Sequence, residues 1–168
     1  MFEKCESLTA LDLSNWNVSN VTKTARMFNE CVSLKILNLS GWDISKMSDM
    51  SNMFYSCESL KTLDISGWTH IYNVKYTINM FRDCKLLKKL DLSNWNTELL
   101  VDMSDMFNGC ESLEELNLSG WTTSPDMSAL SARFNTSFSL QMYLMDRPSE
   151  VYVEGMFNKC ISLKTLNI

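Results

Sequence analysis

The chain has 168 residues, enough for one ordinary domain or a short array of repeats. Its 15 Lys plus Arg against 20 Asp plus Glu leave a net charge of −5, which provides no electrostatic footprint for a phosphate backbone and sets nucleic acid aside as a partner. A hydrophobic content of 45% with only 5 Gly and 2 Pro excludes a disordered or collagen-like chain, and no apolar run nears the roughly 18 residues of a membrane-spanning helix. The first residues, Met1-Phe2-Glu3-Lys4-Cys5-Glu6, lack the basic and apolar regions of a secretory signal. The surplus lies elsewhere, in 12 Met, 6 Cys and 5 Trp.

Position explains the surplus. Met-Phe opens at Met1, Met27, Met53, Met80, Met106 and Met156, and Arg133-Phe134 opens a degenerate copy between the last two. Seven units therefore tile residues 1–168 as a single solenoid, six of them beginning with Met-Phe and the last cut short. Every Cys falls at the fifth unit position: Cys5, Cys31, Cys57, Cys84, Cys110 and Cys160. Every Trp falls at the sixteenth: Trp16, Trp42, Trp68, Trp95 and Trp121. A period of 26 is too short for a four-stranded propeller blade and fits a leucine-rich repeat with one strand and one return segment.

In chain order, each unit predicts the same elements. The run Leu60-Lys61-Thr62-Leu63-Asp64-Ile65-Ser66 has Leu-x-x-Leu-x-Leu spacing, so Leu63 and Ile65 face inward while Thr62 and Asp64 face out. A Trp-bearing turn follows. The return arm then shows a helical period, with Met47, Met50, Phe54 and Cys57 at steps of three, four and three, and Met103, Met106, Phe107 and Cys110 repeating that face. The expected architecture is an α/β solenoid of short parallel strands, turns and short helical returns. In the unit opening at Arg133, Ser137 replaces the Cys, Tyr143 a Leu, and Met145-Asp146-Arg147-Pro148 the Leu-Ser-x-Trp, so a kink or bulge is expected there.

The string Met-Phe-x-x-Cys-x-Ser-Leu-x-x-Leu-Asp-Leu-Ser-x-Trp resembles the 26-residue repeat of bacterial surface proteins related to the BspA-like leucine-rich repeats, across essentially the whole chain. The resemblance implies a secreted or surface-anchored protein of mycoplasmas, Gram-positive bacteria or similar organisms, acting in adhesion and partner binding and not in catalysis. The chain opens on the Met-Phe of one unit and stops directly after Leu166-Asn167-Ile168 with no polar cap at either end, so a fragment, or ends covered by a partner or another copy, is expected, and any signal peptide, lipid anchor or wall-sorting tail would then lie outside it.

Constant phase places the six cysteines in one column, about 4.8 Å apart, with parallel Cβ vectors and apolar neighbours, which favours reduced packing thiols over disulfides or zinc. The phenylalanines Phe2, Phe28, Phe54, Phe81, Phe107, Phe134 and Phe157 are expected to stack as a spine, and the Trp column to pack in the turn after the strand. The exposed-edge alternative for Trp, a sticky binding surface, is the weaker reading.

The functional candidates are the outward strand columns. One contains Asp12, Asn38, Asp64, Asp91 and Asn117; a second Thr62, Lys89 and Glu115; a third Lys35, Lys61, Lys88 and Glu114. Their variation on a fixed framework suits the extended binding surface of a repeat protein. The Asp/Asn column also reads as a hydrogen-bonded ladder, and Asp64 beside Asp91 raises a bound cation, although no calcium-loop motif is present. No cofactor is expected. His70 is the sole His, and neither a phosphate loop nor a nucleophile elbow occurs, so no catalytic residue is assigned. The expected partner is a protein or glycan of a host surface or matrix. End-to-end self-assembly through uncapped terminal units is the alternative, and a glycan-active or metal-dependent enzyme using Asp64 and Asp91 a weaker one.

Overall fold

A computed structural model describes residues 1–68, 71–93, 95–121 and 152–167. Each of the six described coils contributes one strand of three residues: β1 (Ala10–Asp12), β2 (Ile36–Asn38), β3 (Thr62–Asp64), β4 (Lys89–Asp91), β5 (Glu115–Asn117) and β6 (Thr165–Asn167). All pairings are parallel and in register with the repeat: Leu11 opposes Leu37, Leu37 opposes Leu63, Leu90 opposes Leu116, and Leu116 opposes Leu166. The strands form two sheets, β1-β2-β3 and β4-β5-β6. Strand β6 lies directly on β5, so the coil opened by Met156 follows that opened by Met106 in the ladder. Arg133, Phe134 and the residues up to 151 lie outside the described residues, as does His70.

Strands β1 to β5 are short because an Asx turn stops each one. The side-chain oxygen of Asp12 accepts the Ser14 N–H at 2.9 Å, and Asn38, Asp64, Asp91 and Asn117 do the same for Ser40, Ser66, Ser93 and Ser119. A second ladder consists of single-residue parallel bridges joining Lys23, Asp49, Tyr76, Asp102 and Tyr152 in succession.

The helical return is corrected: no helix occurs among the described residues. The arm is a chain of tight turns. Met27 N–H bonds to Thr24 O, Cys31 N–H to Phe28 O, and Leu34 N–H to Cys31 O, each three residues back. Between them, two residues per coil adopt left-handed backbone angles. Arg26 (φ 60°), Asn52 (58°), Asn79 (54°), Asp105 (56°) and Gly155 (65°) precede Met; Lys4, Glu30, Ser56, Asp83, Gly109 and Lys159 follow two residues after Phe. Each left-handed residue turns the backbone away from a helical path and frees N–H groups to reach the next coil. Thr24, Arg26, Phe28 and Glu30 thus donate to Asp49, Ser51, Met53 and Tyr55, and the pattern recurs in the following coils. Successive turns bring apolar side chains inward every three or four residues, which is why the arm imitates a helical period.

Two aromatic columns run through the interior. The phenylalanines stack nearly parallel, with centroids 5.5 Å apart for Phe2–Phe28, 5.7 Å for Phe28–Phe54, 5.4 Å for Phe54–Phe81, 5.7 Å for Phe81–Phe107 and 5.8 Å for Phe107–Phe157. Trp42, Trp68, Trp95 and Trp121 stack beside them at 6.0–6.4 Å and are buried, whereas Trp16 on the first coil is 40% exposed. Trp42, Trp68 and Trp121 also tie coils together, donating Nε1–H to the carbonyls of Leu13, Leu39 and Leu92 on the preceding coil.

Candidate interaction face

The cysteine column is internal and interaction-bearing. Cys31, Cys57, Cys84 and Cys110 are buried, Cys5 and Cys160 on the outer coils half-buried, and all six are free thiols. From the second coil on, each Sγ–H donates to the carbonyl of the Phe in the coil before: Cys31 to Phe2, Cys57 to Phe28, Cys84 to Phe54, Cys110 to Phe81 and Cys160 to Phe107, at 2.9–3.2 Å. Burial pushes the Cys57, Cys84 and Cys110 thiols well above the ordinary range and Cys160 up to about 12, because a thiolate has no solvation there. These thiols are neutral donors to backbone carbonyls, a role that packing alone did not indicate.

On the outward face, Thr62, Lys89 and Glu115 lie in one exposed column with Ala10, Ile36 and Thr165. Lys35, Lys61, Lys88 and Glu114 lie one residue earlier on the same rim. Four of these six charges pair with one another. Lys89 Nζ lies 2.6 Å from Glu115, and Glu114 is held by Lys164 at 2.7 Å and approached by Lys88 at 3.8 Å. The Lys164 hydrogen bond lowers the Glu114 pKa, and the Glu115 bond raises that of Lys89. Lys35 and Lys61 make no ion pair among the described residues, and Ile36 between them is 53% exposed.

In the Asp/Asn column, each Oδ1 is engaged in its Asx turn, leaving the second oxygen or the amide for neighbours or solvent. Asn38 Nδ2 donates to Asp12 Oδ2 at 3.3 Å, so an amide beside a carboxylate removes the repulsion that two carboxylates would have. The Ser14 and Ser93 N–H bonds are the main reason the pKa values of Asp12 and Asp91 are lowered. Among the described residues no three acidic, His or Cys side chains converge as a metal-holding group. The second ladder with its exposed Tyr76 and Tyr152 escaped the sequence reading, because one bridging residue per coil leaves no alternation to detect.

In-register parallel ladders, stacked internal columns and a variable outer face define a leucine-rich repeat protein wound as a parallel β-solenoid. The family model described as "Mycoplasma protein of unknown function, DUF285" matches residues 1–121 and 62–167, and the chain belongs to that family. Among solved structures, the internalin inlF of Listeria monocytogenes is 19% identical with a TM-score of 0.35, the match covering 74% of this chain and 38% of that one. TLR13 in its complex with ssRNA13 is 20% identical with a TM-score of 0.35, covering 96% of this chain and 29% of that one. The chain thus spans well under half the length of either. No curated protein matches.

Proposed function

We propose that this chain is a non-enzymatic interaction and adhesion module of a surface or secreted bacterial leucine-rich repeat protein of the BspA-like, 26-residue kind, binding a host protein or glycan through its outward strand face. The observation that carries the reading is the division of labour within each coil. Inward positions repeat almost unchanged, whereas outward positions run Ile36, Thr62, Lys89 and Glu115 on one column and Lys35, Lys61, Lys88 and Glu114 on the next. A framework that holds side chains at fixed spacing while their chemistry changes suits recognition over an extended surface. The unit boundaries at 1, 27, 53, 80, 106, 133 and 156 remain our division of the chain.

The experiment is retention on immobilised extracellular-matrix and serum proteins, comparing the unaltered chain with Lys35→Glu/Lys61→Glu and with Lys88→Glu/Lys164→Glu. Retention that falls about tenfold or more in the first variant supports the reading. Absence of retention, or retention indifferent to both variants, overturns it.

A further inference from the structure

The stack is not joined equally on all sides where the third coil meets the fourth. At the other joints within the two sheets, a strand-side N–H of the later coil reaches back: Lys35 to Thr9, Lys61 to Lys35, Glu114 to Lys88 and Lys164 to Glu114. A second N–H reaches forward, from Leu13 to Asn38, Leu39 to Asp64, Leu92 to Asn117 and Leu118 to Asn167. Between β3 and β4 both are missing: neither Lys88 N–H nor Ile65 N–H has a backbone acceptor among the described residues, and the sheet divides there. Trp95 likewise lacks the indole bond to the preceding coil that Trp42, Trp68 and Trp121 make. Leu63 is only half-buried, like Leu11 and Leu166 on the outermost strands, whereas Leu37 and Leu116 are at most 1% exposed.

The opposite side of the same joint is closed. Phe54 N–H bonds to Met80 O at 2.9 Å and Ser56 N–H to Arg82 O at 2.8 Å. Cys84 Sγ reaches Phe54 O at 3.2 Å, Tyr76 bridges Asp102, and Phe54–Phe81 has the shortest separation in the spine, 5.4 Å.

Three features of the sequence coincide here. From Trp to the bridge residue is seven positions in Trp16–Lys23, Trp42–Asp49 and Trp95–Asp102, but eight in Trp68–Tyr76. Position 94 carries Asn, where Gly41 and Gly67 stand in the earlier coils. At those glycines a Cβ would collide with the backbone carbonyl of Ser14 or Ser40 on the coil before, so only glycine permits the approach. Finally, the Asp/Asn column places Asp64 next to Asp91 across this joint, with no amide between them to donate.

We propose that the β3–β4 junction is a one-sided hinge, at which two three-stranded blocks tilt apart on the strand face while the Phe arm holds them together. The hinge lies in the middle of the outward face, between Lys61 and Lys88, and its opening sets the spacing between the two halves of that face.

Amide hydrogen exchange of the full chain, read residue by residue by NMR, tests this. Ile65 and Lys88 are expected to exchange at least about tenfold faster than Leu39 and Lys61, while Phe54 and Ser56 across the same joint remain as slow as Phe28 and Glu30. Equal protection of Ile65, Lys88 and their counterparts overturns the hinge; fast exchange at Phe54 and Ser56 as well would mean a complete break rather than a hinge. A second chain with His70 deleted and Asn94→Gly should slow Ile65 and Lys88 to the rates of Leu39 and Lys61. If that chain folds with the same near-UV tryptophan signature and the two amides stay fast, the assigned cause is wrong.

Discussion

The two sheets, β1-β2-β3 and β4-β5-β6, share one interior and present different exteriors. Inside, each has the same Leu register, the same Phe and Trp stacks and the same thiol-to-carbonyl bonds. Outside, the first block presents Lys35, Ile36 and Lys61 without internal ion pairs, whereas the second closes Lys88, Lys89 and Lys164 onto Glu114 and Glu115. A repeat can therefore hold its geometry through a handful of inward positions and leave the charge of its surface to be set coil by coil. On the first block a cation meeting a partner would have no intramolecular competitor, so the proposed binding is expected there.

The shared interior is the easiest part of this comparison to break. Trp68→Ala removes a ring that stacks on both Trp42 and Trp95 and is expected to destabilise by about 3–5 kcal/mol in urea unfolding. Trp16→Ala on the exposed first coil should cost about 1 kcal/mol or less. Equal costs would contradict a continuous internal stack. Next in size, Gly67→Ala pushes a methyl against Ser40 O and should cost about 1–3 kcal/mol. Its exchange signature should be faster opening at Leu39, turning a tight joint of the first block into one resembling the β3–β4 junction.

Alkali acts on both blocks alike. Because the folded thiol pKa values are raised, the unfolded chain gives up its thiol protons first. Stability is therefore fully present below the ordinary value of 9.0 and falls as pH climbs toward the folded values, about 12 for Cys160. At one unit above the ordinary value, each strongly buried thiol should lower stability by about 1.4 kcal/mol. A Cys57→Ala/Cys84→Ala chain, less stable at pH 7, should show a shallower decline. The smallest effect is expected from Glu115→Gln, which releases Lys89. Unfolding should be unchanged within error because both groups are exposed, while retention on an acidic ligand should rise as the second block comes to resemble the first.

How much of this was readable in advance varied by element. The strands, Trp turns and stacked Phe and Cys columns follow from phase alone, since residues at a fixed unit position must lie in one line. The return arm was misread because a series of β-turns turns an apolar side chain inward about as often as a helix does. A corrective signal stood in the position before Met: Asn52, Asn79, Asp105 and Gly155 are residues that tolerate left-handed angles. The companion column is mixed, since Asp83 and Gly109 carry the same signal whereas Lys4, Glu30 and Lys159 do not. The pairing of Glu114 with Lys164 required knowing that the coil of Met156 follows that of Met106, a contact across 50 residues that no local pattern announces.

The turn-built arm has an electrical consequence. Peptide groups such as Asp49–Met50 accept from the coil before and donate to the coil after, in the sequence Thr24 to Asp49, Met50 to Tyr76, Thr77 to Asp102 and Met103 to Tyr152. Four such files run along the solenoid in one orientation, against an opposed file from Ser48 to Thr22, Lys75 to Ser48, Val101 to Lys75 and Tyr152 to Val101. In an ordinary sheet the peptide dipoles largely cancel; in a helix they add. Here they add across coils, so the arm has a positive pole toward the Met156 coil and a negative pole toward the Met1 coil, and each inserted or deleted coil lengthens or shortens that axis.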